Sequence, residues 1–153
     1  MMINKIIDNS VDDSVTEQRI SWGECPVDQY EAEACFSENS TFELGTVCLN
    51  GQKHKIDIRF PFSHCYRIID RELAIVLYQV PKLPIVGIEY PLYKVKNSLL
   101  IQQIVNEAGG VLEKEELEHY QVLAVNIVID VVLYKNEHFS IEGLGGTNGK
   151  MDK

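Results

Sequence analysis

No stretch of the 153-residue chain offers the roughly 20 consecutive apolar residues that a bilayer-spanning helix needs. The most apolar run, "HYQVLAVNIVIDVVLYK" from His119 to Lys135, is broken by Gln121, Asn126 and Asp130. The opening "MMINKIIDNSVDDSV" lacks the basic start, apolar core and small-residue cleavage site of a secretory signal, so a cytoplasmic location away from membranes is expected. His54, His64, His119 and His138 fall into no HxxxH or HExxH spacing. Cys25, Cys35, Cys48 and Cys65 are separated by nine, twelve and sixteen residues, too far for a CxxC pair. The expectation is reduced thiols, with no metal and no cofactor. The tail "EGLGGTNGK" imitates a phosphate loop, but Leu144 stands at the first glycine position and Met151 at the required Ser or Thr. A flexible tail over 143–153 is expected instead.

Bases are scarce as well. Lys and Arg total 14 against 23 Asp and Glu, a formal net charge of -9 with a pI near 4.9. Such a surface repels phosphate backbones, which argues against nucleic-acid binding, and attracts a basic protein. Between Asp8 and Glu43 ten acids face one base, Arg19, and "EKEELE" forms a second cluster from Glu113 to Glu118. A solvated face explains such runs in general; an electrostatic docking face is the sharper alternative. Its candidate residues are Glu24, Asp28, Glu31 and Glu33, with Glu113, Glu115 and Glu116 as a second patch.

A hydrophobic content of 45% supplies one core, expected over 19–142, with 1–18 only loosely ordered. "RISW" reads as the first strand, and "CPVDQYEAEACF" fits a strand or a helix face, the alternation favouring a strand. In "TFELGTVCLNGQKHKIDIRF", Asn50-Gly51 signals a type I′ hairpin pairing Leu49 with Gln52 and Val47 with His54. Keeping Phe42 and Leu44 on the apolar face then requires a bulge at Gly45. "HCYRIID" and "LYKV" are strand-like, and "RELAIVLYQV" is either strand or short helix. Pro81, Pro84 and Pro91 make "PKLPIVGIEYP" either irregular or a sheet edge. Asn97 or Ser98 can cap a helix whose stripe is Leu100, Ile101, Ile104, Val105 and Ala108, with Gly109 as its left-handed stop.

The run from His119 to Lys135 is too rich in Val and Ile for a helix and too long for one strand, so it predicts a hairpin turning at Val125-Asn126. Tyr120, Val122, Ala124, Ile127, Ile129 and Val131 then share one face. His119, Gln121, Leu123, Val128, Asp130 and Val132 share the other, with Asp130 opposite Gln121. Asp130 is either a carboxylate on a partly solvated face or a buried one paired with His119 or an arginine. His64 and Cys65 are adjacent strand residues and should diverge, which argues against a thiol and its base. The fold class expected is α+β, a mainly antiparallel sheet of hairpins with one principal amphipathic helix packed on it.

From "HCYRIIDRE" through "LYKVKNSLLIQQIVNEAGG" to "EHYQVLAVNIVIDVVLYKNEHF", the order of parts resembles bacterial immunity proteins of polymorphic or contact-dependent growth-inhibition toxin systems. The resemblance spans Tyr66 to Phe139. It implies an α+β domain that neutralises a cognate toxin, with a nuclease as one candidate class, by tight binding rather than catalysis. Two other readings stay open: a small enzyme using Asp130, His119 or the Cys65 region, and a non-catalytic oligomeric or scaffold domain.

Overall fold

A computed structural model of the protein describes residues 16–36, 45–61, 65–78 and 90–143. Nine strands are described: β1 (Gln18–Ser21), β2 (Glu31–Phe36), β3 (Gly45–Asn50), β4 (Lys55–Phe60), β5 (Cys65–Asp70), β6 (Leu92–Lys96), β7 (Leu117–Leu123), β8 (Ile127–Tyr134) and β9 (Ser140–Glu142). The helices are α1 (Arg71–Tyr78) and α2 (Leu99–Glu107), and a 3₁₀ turn covers Lys114–Glu116. The strands form two antiparallel sheets, of order β9-β4-β3-β2 and β1-β6-β7-β8-β5. The fold is therefore α+β and mainly antiparallel, as the alternation of apolar residues implies.

The alternation assigns three layers. Val47, Leu49, Ile56, Ile58 and Phe60 point from the four-stranded sheet into one core with Leu92, Tyr120, Val122, Ile129, Val131 and Leu133 of the five-stranded sheet. Fully burying each aliphatic side chain contributes about 1.5–3 kcal/mol. The opposite face of the five-stranded sheet carries the helices. Ala74 of α1 packs on Leu123 and Val128, while Ile101 of α2 packs on Leu117 and Val132.

The β7-β8 hairpin has the expected register, with Gln121 opposite Asp130 and Tyr120 opposite Val131, and it turns at Val125-Asn126. The Asn126 amide both donates to Ala32 O and accepts from Ala32 N at 3.0 Å, so it closes the open edge of β2. Ser98 is the N-cap of α2, its hydroxyl accepting from Ile101 N at 3.0 Å, and Gly109 takes φ 64°. "RELAIVLYQV" resolves as helix over Arg71–Tyr78.

The Asn50-Gly51 register is corrected. Leu49 pairs with Ile56 and Val47 with Ile58, with Gly45 opposite Phe60 and no bulge at Gly45. The loop is four residues long, Gly51 to His54, closed by Gly51 N donating to His54 O at 2.8 Å. The cause lies in Asp28, whose carboxylate accepts from the backbone N–H of Gln52, Lys53 and His54 at 2.9–3.1 Å. A Cβ at Gly51 would overlap that carboxylate, so the glycine serves close approach rather than a type I′ turn. The longer loop puts Val47, Leu49, Ile56 and Ile58 on one face unaided. The proline-rich segment up to 89, the chain before 16, the tail after 143, and Phe42, Leu44 and His64 lie outside the described residues.

Candidate functional site

Asp130 is buried, at 1% exposure, on the helix-covered face of the five-stranded sheet. Its Oδ1 lies 2.7 Å from His119 Nε2 and accepts from Gln121 Nε2 at 2.8 Å; its Oδ2 accepts from Arg67 Nε at 3.1 Å. His119, at 2% exposure, places Nδ1 2.7 Å from Ser98 Oγ. The Ser98 hydroxyl also accepts from Ile101 N, so it joins the α2 cap to the His119 ring, whose two nitrogens face Ser98 and Asp130.

Burial alone would raise the Asp130 pKa, and that is its largest single influence; the hydrogen bond and the electrostatic attraction of His119, then the Arg67 charge and the Gln121 amide, outweigh it and hold the carboxyl below its ordinary value. The bonds continue into a closed circuit. Arg19 Nε donates to Gln121 Oε1 at 2.7 Å and its Nη2 to Glu17 Oε1 at 3.3 Å, while Glu17 Oε2 accepts from Leu99 N at 2.9 Å. Leu99 then leads back to Ser98. Five elements are thereby tied together: the start of β1, the start of α2, β5, β7 and β8.

Ser98, His119 and Asp130 have the residue types and spacing of a nucleophile, base and orienting acid. The surroundings are less favourable. The Ser98 hydroxyl is engaged by both Ile101 N and the His119 ring, Ser98 is 7% exposed, and Leu99 N is bound to Glu17 rather than free for an oxyanion. The cavity that His119, Asp130 and Gln121 line between the helices is only about 110 Å³. Burial pushes the Cys65 thiol up, with Asp130 adding to the effect and Arg67 opposing it, so it carries little thiolate. Among the described residues no three His, Cys, Asp or Glu side chains gather as metal ligands.

The acids singled out from the sequence are dispersed. Asp28, at 6% exposure, belongs to no docking face: besides the three loop N–H groups it accepts from Gln29 N at 2.7 Å and lies 3.0 Å from His54 Nδ1. Burial opposes its charge, but these bonds prevail and lower its pKa strongly. Glu31 and Glu33 project from the outer face of β2, where the row Glu33, Cys48, Asp57, Glu142 crosses all four strands. Glu113 and Glu116 close a capping box around the 3₁₀ turn, and Glu115 is exposed beside them. That turn leads into β7 beside α2, so the two patches lie on different layers. Glu24 is separate again, on the rim of a cleft of about 230 Å³ walled by Trp22, Tyr120 and Phe139, with Glu137 and His138 beside it.

The sequence offers a buried Asp130 paired with His119 or an arginine as one of two alternatives, and it names Ser98 only as a helix cap; the structure joins all four residues. The missing signal was the pairing of β5 with β8, which sets Arg67 opposite Asp130. The segments that carry the family resemblance meet here: Arg67, Ser98, His119 and Asp130 all belong to them. Among the described residues no helix is long and apolar enough to cross a membrane. No family model, curated protein or solved structure matches the chain, so its functional reading rests on the geometry of this circuit and of the clefts around it.

Proposed function

We propose that the protein is a cytoplasmic immunity-type inhibitor that binds and covers a basic toxin domain, a nuclease being the class whose phosphate-binding surface best suits an acidic partner. The observation that carries this reading is the cleft at Glu24. Phe139 sits edge-on to Trp22 and Tyr120, with ring centroids 5.3 and 4.8 Å away, and Glu24 and Glu137 flank the rings. An aromatic wall beside two carboxylates suits the aliphatic stem and cationic head of an arginine or lysine. Buried anchors of this kind supply most interface affinity, while the acidic surface speeds encounter. Glu31 and Glu33 extend the acidic surface but do not share the cleft. Co-expression with the product of the reading frame immediately upstream tests the proposal. A stable complex on size exclusion and rescue of growth are expected; absence of both would refute it.

The union of Ser98, His119 and Asp130 favours a second reading, a small hydrolase with Ser98 as nucleophile. It requires the serine to leave its capping bond. Turnover of activated esters or labelling by a fluorophosphonate, each abolished by Ser98→Ala in a folded variant, would support it over the binding reading.

A further inference from the structure

Lysine and arginine are few in this chain, yet four lysines surround one groove of about 550 Å³ beside α2. Lys94 and Lys96 alternate along β6, Lys114 lies in the 3₁₀ turn and Lys135 follows β8. The two turns are fastened together by Lys135 N donating to Glu116 O at 2.8 Å, which fixes the backbones that carry Lys114 and Lys135. Lys94 is committed to Glu118 at 3.2 Å. Lys96, Lys114 and Lys135 are exposed and form no ion pair among the described residues, with Glu115 the one other acid on the groove.

The groove also has an apolar part to its lining. Ile101 and Val105 of α2 and Leu117 of β7 line it, and the amides of Gln102 and Asn106 offer donors and acceptors along one wall. We infer that this groove is a second docking site, independent of the Glu24 cleft, for an acidic peptide segment of a protein partner. Apolar side chains of the segment would enter against Ile101 and Val105 while its carboxylates meet the lysines. A nucleic acid fits less well, because the net charge of -9 repels an extended polyanion outside this short groove.

Fluorescence anisotropy of the full chain with a labelled synthetic peptide of alternating Glu and Leu tests the inference. Controls are the same peptide with Gln for Glu and a single-stranded oligonucleotide of equal charge. Binding should weaken with salt, fall on the order of tenfold in the Lys96→Glu/Lys114→Glu variant, and remain unchanged in Glu24→Lys. No binding of the acidic peptide, equal binding of the Gln peptide or the oligonucleotide, or indifference to the double substitution would overturn it.

Discussion

Asp28 and Asp130 are both buried aspartates held in the charged form, yet they are satisfied in different ways. Asp28 takes backbone N–H groups from a single loop together with Gln29 N and the His54 ring, so it organises one hairpin from outside. Asp130 takes side chains from β5 and β7, and through them reaches β1 and α2. A carboxylate bonded to backbone sets local geometry, whereas one bonded to side chains clasps distant segments. Each buried carboxylate is thus fully engaged, Asp28 within one loop and Asp130 across the sheet.

The largest effect is expected at Asp130. Replacing it with Ala removes the acceptor that His119 and Gln121 share in a buried setting, together with the ion pair to Arg67, and should cost about 3–5 kcal/mol of unfolding free energy in urea melts. A loss below 1 kcal/mol would show that the circuit is not a clasp. At Asp28, Ala should cost about 2–3 kcal/mol, because the loop N–H groups partly regain water. Hydrogen exchange should separate the two sites: Asp28→Ala deprotects mainly Gly51 to His54, whereas Asp130→Ala deprotects β5, β7 and the start of α2 together.

Acid unfolding sharpens the contrast further. Both carboxyls have folded pKa values below their unfolded ones, so each contributes stability that is complete above the unfolded value, about 3.9, and is lost as pH falls toward the folded value. Asp28→Asn and Asp130→Asn should each flatten the fall in stability below about pH 4, even though each lowers stability at neutral pH. A slope unchanged in both variants would place the titrating groups elsewhere. The smallest stability change is expected for Ser98→Ala, about 1–2 kcal/mol, from loss of the α2 cap and of the bond to His119.

How far these sites were legible follows from the range of the interactions that build them. The β7-β8 register could be read because alternation, Val and Ile content and the Asn126 turn agree within one short segment. Asp130 remained open between solvent and burial because its burial depends on α1 and α2 covering that face, and its partners Arg67 and His119 are set by pairing across the sheet. Asp28 was misread as a surface acid because it sits in an acid-rich stretch, and nothing local reveals that the loop after Asn50 will fold onto it. The same unseen contact shifted the β3-β4 register, since the Asn50-Gly51 signal carries no information about a carboxylate twenty-odd residues upstream. Acid density alone marked Glu24; the aromatic wall beside it needed the approach of Phe139 to Trp22.

The most direct test compares the interior circuit with the outer cleft in one binding assay. Affinity for the toxin domain recovered by co-expression would be measured for the wild type, for Glu24→Lys/Glu137→Lys and for Ser98→Ala, each confirmed as folded. Losses of at least about tenfold in the cleft variant with little change in Ser98→Ala are expected. The reverse pattern, full binding with the cleft charge reversed and loss of function with Ser98 removed, would contradict the account and move function into the buried serine, histidine and aspartate.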